Sequence, residues 1–374
     1  MSFDSVSLTC KLLSFNTVNP PGDERDCAHF LGQLLEAAGY ETNYYEFADK
    51  RATLIARLDG SGDKLPLCFT GHLDTVPLGV TPWLRDPFAG ETDGDKLFGR
   101  GTSDMKSGVA AMVMMALHFA RLPLCKSGLI LVLTAGEETT CEGAQHVAGL
   151  DGVLGRAGAI VVGEPTANAP LIAHKGCVRY AIKFKGVAAH GSMPEQGVNA
   201  IYRAAQAVRQ LAAFDFAVPT NPFLGKPTLA VTMINGGTAI NMIPGQATIS
   251  LDIRTLPGQT EPEIRHKLTA ALGDDAELQL IHGAASVGTD ADHEWVQQVF
   301  AIMQRLTGTR PVPAGATYFT DCSVLTPAYG NPPTIILGPG EPEMAHKTDE
   351  FCYLSKVEAA LEAYAAIASK WCGV

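Results

Sequence analysis

The chain has 374 residues, 46% hydrophobic and 18% charged, a globular composition and more chain than one ordinary domain needs. A formal net charge of −11 argues against nucleic acid or anionic membrane as a partner, and no apolar run is long enough to span a bilayer. Nine scattered cysteines with no Cys-x-x-Cys, and a start without the basic-then-apolar pattern of a secretory signal, predict reduced thiols in a cytoplasmic protein.

Residues 4–18 and 23–38 read as short amphipathic helices, the first broken by Asn19-Pro-Pro-Gly22 and the second ended by Gly39. Strands are predicted at 42–46, 53–58 and 67–70, the last running into Gly71-His72-Leu73-Asp74. After a loop, Asp104 is placed to cap a helix over 105–121, whose near-continuous apolarity predicts burial against a sheet. The apolar run 129–134 is of buried-strand length. It stops at Ala135-Gly136, and Glu137 and Glu138 follow at once; adjacent residues leaving a strand point in roughly opposite directions, while a solvated acidic loop is the plainest reading of the pair alone. A helix at 142–148 and a strand at 159–162 follow, the strand ending at Gly163-Glu164. Strands alternating with helices predict a mixed, mostly parallel sheet with helices on both faces, whose ligands bind at the carboxyl ends of the strands. The pattern then changes to strand, helix, two strands, helix and strand over 178–282, the order of a ferredoxin-like unit. Residues 179–287 are therefore taken as a domain inserted into one built from 1–178 and 288–374. The outer domain resumes with a helix at 293–306, a strand at 334–337 and a closing helix at 354–370.

His72, Asp104, Glu138, Glu164 and His346 all fall at one predicted sheet edge. Each alone is most simply a structural histidine, a helix cap or a solvated acid. Together they are two imidazoles and three carboxylates, enough for two divalent cations that each take one His, one Glu and a shared Asp. The donor types suit Zn²⁺, with Co²⁺ or Mn²⁺ as alternatives, and leave the open position a catalytic site needs. Glu137 is then free to take a proton from water and pass it to a leaving amine. Asp74 is close enough in sequence to accept the second N–H of His72. Rival chemistries find little support. There is no Gly-x-Ser-x-Gly elbow or Walker A loop, Gly99-Arg-Gly101 lacks the context of a dinucleotide fingerprint, and Cys322 reads as buried and inert.

Gly71-His-Leu-Asp-Thr-Val-Pro77, Gly101-Thr-Ser-Asp-Met-Lys-Ser-Gly108, Thr134-Ala-Gly-Glu-Glu138, Val162-Gly-Glu-Pro-Thr166 and Ala345-His-Lys-Thr-Asp-Glu350 run across the chain in order. In these motifs the chain resembles the M20 family of metallo-aminoacylases and peptidases, in its acetylornithine deacetylase and succinyl-diaminopimelate desuccinylase branch. The resemblance implies that Asp104 bridges two zinc ions, with His72 and Glu164 on one and Glu138 and His346 on the other. It implies Glu137 as general base, Asp74 as orienter and a homodimer formed through 179–287. His190, in Ala188-Ala-His-Gly-Ser-Met-Pro194, matches the residue that helps stabilise the oxyanion, in relatives from across the dimer. Asn241 and Arg254 match substrate-contact positions, Arg254 as a carboxylate fork. Gly338 and Gly340, in a stretch similar to acetylornithine deacetylases, are also expected at the substrate. The substrate implied is a small N-acyl amino acid or short peptide. Dipeptidase, carboxypeptidase and desuccinylase are the alternatives, with a non-catalytic binding protein on the same scaffold as a reading from another class. Thr320-Asp321 is followed by Cys322-Ser323, where desuccinylases carry Gly-Arg, so a guanidinium for a second, distal carboxylate is missing.

Overall fold

The computed structural model describes residues 3–122 and 126–374. Its main strands are β1 (Glu41–Ala48), β2 (Arg51–Leu58), β3 (Leu67–His72), β4 (Leu129–Thr134), β5 (Ala159–Val162), β6 (Gly176–Lys185), β7 (Thr228–Gly236), β8 (Gln246–Thr255), β9 (Ala276–Ala284) and β10 (Thr334–Ile336). The helices are α1 (Ser5–Leu13), α2 (Arg25–Ala37), α3 (Ser107–Phe119), α4 (Glu137–Thr140), α5 (Glu142–Ala148), α6 (Ala200–Ala212), α7 (Glu261–Leu272), α8 (Glu294–Thr307), α9 (Cys322–Ala328) and α10 (Leu354–Cys372).

One compact unit comprises Met1–Ala173, Gly288–Ala314 and Thr320–Val374. Its sheet runs β1-β2-β4-β3-β5-β10. β4, β3, β5 and β10 are parallel, and β1 and β2 form an antiparallel edge. β3, β4 and β5 are buried along their whole length, as strands covered on both faces must be. Each fully buried Leu, Ile or Val side chain there contributes about 1.5–3 kcal/mol. α3, apolar nearly all round, packs against α1, α2 and α10, and α5 packs against α9. The mostly parallel sheet with flanking helices matches the predicted class. Because the central strands are parallel, the loops after β3, β4, β5 and β10 leave the same edge.

Two helix boundaries differ from expectation. α1, capped by Asp4 in a reciprocal pair with Ser7, ends at Leu13 instead of reaching 18. The chain beyond it runs beside the segment after β3, where Thr17 Oγ1 donates to the Leu73 carbonyl (2.6 Å) and Asn19 N to that of Thr75 (2.8 Å). α3 starts at Ser107, so Asp104 is not its cap. Residues Thr102–Lys106 form a wide irregular turn, with Asp104 at φ −121, ψ 92 and Met105 at φ −138, ψ 29. A small antiparallel sheet of Thr92–Asp93, Lys96–Phe98 and Phe351–Tyr353 was not expected; its strands are too short to show a period. Cys10, Cys27, Cys68, Cys141, Cys177, Cys322 and Cys352 are free thiols, but Cys372 is disulfide-bonded, so the thiols are not reduced throughout. Pairing depends on Cα atoms lying about 4.4–6.8 Å apart, which scattered spacing in sequence does not reveal. Among the described residues no helix is long and apolar enough to cross a membrane.

The other unit comprises His174–Val287 with Gly315–Phe319. Its antiparallel sheet has the order β7-β8-β6-β9, and the chain order β6-α6-β7-β8-α7-β9 is that of a ferredoxin-like fold. Alternation sends Val178, Tyr180, Ile182 and Phe184 of β6, and Ile249, Leu251 and Ile253 of β8, into one core with α6 and α7. Asn199 caps α6, and Thr260 with Glu263 caps α7. β7 is an edge strand on which Met233 and Ile234 are 58% and 52% exposed.

Candidate metal centre

His72 is the last residue of β3 and is fully buried. Its Nδ1 lies 2.9 Å from the Asp74 carbonyl, and since a carbonyl only accepts, Nδ1 carries the hydrogen. Nε2 then faces Asp104 Oδ1 at 3.0 Å and Glu164 Oε1 at 3.7 Å. The ring is therefore oriented mainly by the main chain of Asp74, whose carboxylate is further off at 3.6 Å. That carboxylate is occupied elsewhere. It accepts from Asn19 Nδ2 (2.9 Å) and from the amides of Glu137 (3.1 Å) and Glu138 (3.2 Å). Asp74 thus aims both the imidazole and the turn that carries the two glutamates. Burial pushes its carboxyl up, but His72, Asn19 and the Glu138 amide outweigh that and hold it below the usual range.

Glu137 and Glu138 do not sit in a loop. They open the single turn of α4, set off from β4 by Gly136 in the left-handed region at φ +78. The two carboxylates still diverge. Glu138 Oε2 meets His346 Nε2 at 3.0 Å, and His346 Nε2 is 3.4 Å from Asp104 Oδ2. Ligand-type atoms of His72, Asp104 and Glu138 lie within 4.8 Å of one another, and so do those of His72, Glu137 and Glu164. The structure therefore brings together all five residues of the predicted ligand set, with Glu137 beside His72 and Glu164.

The electrostatics show an excess of buried acid. Burial, then the Glu164 charge, pushes the Glu137 carboxyl well above its ordinary range. Burial and the neighbouring Asp104 push Glu138 up to about 7, and burial carries Glu164 up to about 8 with His72 pulling against it. Burial raises Asp104 as well, but the neighbouring imidazoles of His346 and His72 hold it low. The hydrogen bonds that His346 makes to the carboxylates of Asp104 and Glu138 lift its imidazole to about 10. Glu138 Oε1 is buried with no hydrogen-bond partner. Carboxylates this close cannot all ionise without cations, and buried charge is retained only when paired or ligating. Two imidazoles, four carboxylates and an orphaned carboxylate oxygen fit divalent cations of the oxygen- and nitrogen-loving kind.

Gly338 and Gly340 follow β10. A Cβ on Gly338 would lie 2.1 Å from the Gly163 carbonyl oxygen, and one on Gly340 would lie 2.0 Å from that of Ser103. Both glycines let backbone segments approach beside candidate ligands, Glu164 in the first case and Asp104 in the second.

In the other unit, His190 is exposed, and its Nδ1 accepts from the Ser192 amide at 3.2 Å. Nδ1 as acceptor leaves the hydrogen of a neutral ring on Nε2. Asn241 is exposed and holds the Gly191 amide through its carbonyl (2.7 Å). Arg254 is engaged by Asp252, Nε to Oδ1 at 2.8 Å, and Asp252 also takes Arg179 Nε at 3.0 Å. Asp252 is thus shared by two guanidiniums, and one positive charge is left uncompensated.

Asn19, Lys106 and Asp321 are among the residues whose roles escaped the sequence reading. Asn19 holds Asp74. Lys106, fully buried, donates to the carbonyls of Leu12 (3.0 Å) and Phe15 (2.9 Å). Asp321 is buried with Thr134 Oγ1 on one oxygen, while its other oxygen is unpaired. No local pattern marks any of them, though Asn19 and Lys106 lie in stretches that carry other signals.

The family model described as peptidase family M20/M25/M40 matches residues 68–370. A probable succinyl-diaminopimelate desuccinylase of Staphylococcus epidermidis is 30% identical, with 98% of each chain covered. An acetylornithine deacetylase of Proteus mirabilis is 31% identical, covering 92% of this chain and 89% of its own. Among solved structures, an M20 family metallo-carboxypeptidase of Sulfolobus solfataricus superposes with a TM-score of 0.80 over 100% of both chains at 16% identity, a likeness of fold.

Proposed function

The chain belongs to the M20/M25/M40 peptidase family, and from that premise we propose that it is a dinuclear zinc hydrolase that cleaves the amide bond of an N-acyl-L-amino acid, most simply as an acetylornithine deacetylase. The observation that carries this reading is the convergence of His72, Asp104, Glu138, Glu164 and His346 at one sheet edge, with more buried carboxylate than nearby protein cations balance. Two zinc ions, or Co²⁺ or Mn²⁺ in their place, would polarise the scissile carbonyl and lower the pKa of water.

Around them the side chains have separate tasks. Asp104 would be shared between the ions, with His72 and Glu164 holding one and Glu138 and His346 holding the other. Glu137 takes the proton of the attacking water and delivers it to the leaving nitrogen. Its carboxyl lies buried in the His72–Glu164 group, beside the proposed ligands. Asp74 fixes the tautomer of His72. His190, with Nε2–H available, donates to the developing oxyanion, an interaction worth about 3–4 kcal/mol in such chemistry. Asn241, Gly338 and Gly340 belong to the substrate region, and Arg254 takes the substrate carboxylate. The family pattern supports these assignments, and the uncompensated charge around Asp252 favours the last.

The inserted unit dimerises the protein through residues 179–287, a reading supported by the exposed apolar residues on edge strand β7. A cytoplasmic location is supported by the seven free thiols among the described residues, while the disulfide of Cys372 counts against it. Desuccinylase and dipeptidase chemistry are the competing readings, since the desuccinylase relative is about as similar as the deacetylase. Cys322 and Ser323, buried near the start of α9, supply no guanidinium for a distal carboxylate, which favours the deacylase.

The test is a comparison of kcat/KM for N-acetyl-L-ornithine, other N-acetyl amino acids, N-succinyl-diaminopimelate and dipeptides. Activity should vanish with chelator and return with Zn²⁺ or Co²⁺. Full turnover by metal-stripped protein would refute the metal reading, and preference for dipeptides would refute the deacylase reading.

A further inference from the structure

We infer that the buried Arg100–Glu350 pair is a positioning device that holds the loops of Asp104 and His346 in the geometry needed to bind cations. The inference rests on the metal reading above and goes beyond it to residues that touch neither cation nor substrate. Glu350 is 0% exposed and Arg100 is 2% exposed. Both oxygens of Glu350 are fully used. Oε2 accepts from Arg100 Nη1 (2.6 Å) and the Gly101 amide (2.9 Å), and Oε1 accepts from the amides of Ser103 (2.8 Å) and Asp104 itself (3.0 Å). One carboxylate thus gathers three amides of the irregular turn that presents Asp104.

That turn makes little helical hydrogen bonding of its own, since Asp104 and Met105 have left helical backbone angles. The amides that a regular helix would leave to a cap are here collected by a side chain from another loop. Glu350 lies four residues beyond His346, in a segment where His346 and Asp349 both have positive φ, +65 and +54. Arg100 closes the arrangement from the other side. Nη1 also donates to the Lys347 carbonyl at 3.1 Å, and Nη2 donates to that of Pro77, three residues past Asp74, also at 3.1 Å. Ser103 Oγ adds a cross-link to the Phe351 carbonyl (2.7 Å) and accepts the Glu341 amide (2.9 Å). The partners of the pair therefore lie in the loops of His72, Asp104 and His346. A carboxylate that served only as core filling would have no reason to select the amide of the shared ligand. The planar fork of arginine fixes two of these loops through directed bonds, which lysine cannot reproduce.

The experiment compares wild type, Glu350→Gln and Arg100→Lys, all metal-stripped. Apparent affinities for Zn²⁺ and Co²⁺ are measured by competition with a chelator, together with the visible absorption of the Co²⁺-loaded protein and the melting temperature of the stripped form. Glu350→Gln keeps the shape but turns an N–H₂ toward groups that are all donors. Its cation affinity should fall roughly 10–100-fold, with a changed Co²⁺ spectrum, at a temperature where the stripped protein is folded. Arg100→Lys should fall in the same direction by a smaller factor. Affinity and spectrum equal to wild type in both variants, even with a lower melting temperature, would assign the pair to fold stability alone. Failure of both variants to fold in saturating Zn²⁺ would overturn the inference in the same way. Wild type that binds neither ion would refute the metal reading, a result distinct from equal affinities.

Discussion

Two neighbouring glutamates show how finely a site is divided at the scale of single residues. Glu138 shares a 3.0 Å contact with His346, whereas Glu137 lies in the His72–Glu164 group with its carboxyl driven up by burial. If Glu137 moves the proton, Glu137→Gln should lower kcat by about 10²–10⁴ while cation content, measured by elemental analysis, stays at the wild-type level. Loss of metal together with activity would instead make it a ligand. A second residue-scale expectation concerns pH. His174 is buried, with Nδ1 2.9 Å from the Lys175 carbonyl, and burial pulls its imidazole from 6.5 down to about 4. A base depressed on folding keeps its neutral form in the native state. The unfolded chain therefore binds the proton first as pH falls from 6.5 toward 4, and stability is lost over that window. Denaturant unfolding at a series of pH values should show a steeper loss in wild type than in His174→Gln; parallel curves would count against it.

At the scale of elements, apolar runs were the most legible feature. β3, β4 and β5 read directly as buried strands because both of their faces are covered, and the strand-end acids and histidines followed from that placement. The beginning of α3 was misread because an Asp before an apolar run is also the pattern of a helix cap. Here the side chain faces two imidazoles, and the turn is held by tertiary bonds instead. Arg100, Glu350 and Asn19 stayed hidden for a related reason: a polar side chain satisfied by distant backbone leaves no periodic trace. Two element-scale substitutions are informative. Gly340→Ala places a methyl 2.0 Å from the Ser103 carbonyl oxygen and must push the Asp104 loop aside. A stability loss of about 1–3 kcal/mol, read by denaturant unfolding, is expected. On β7, Ile234→Lys puts a charge on an exposed edge strand. If this edge joins two copies, sedimentation should show the monomer fraction rise; an unchanged dimer would place the interface elsewhere.

At the scale of the whole molecule, cation binding and folding are one equilibrium. The proposed ligands come from five separate segments, so the unfolded chain has no comparable site, and if the metal reading holds, stripping the metal should destabilise the protein. At free Zn²⁺ about 100 times its dissociation constant, the difference is about 2.7 kcal/mol, read as a fall in melting temperature on adding chelator. The order of the loops along the chain has a further, biosynthetic consequence. His72, Asp104, Glu138 and Glu164 all precede the inserted unit, whereas His346 and Glu350 follow it. On the metal reading, a chain emerging from the ribosome would therefore carry four of the five donors early, without the His346 imidazole or the carboxylate that gathers the Asp104 turn. Until residues 346–350 are made, the nascent protein would have an incomplete donor set and an unbraced Asp104 turn. On the metal reading, selection of a particular cation would wait until residues 346–350 have been made, after the inserted unit.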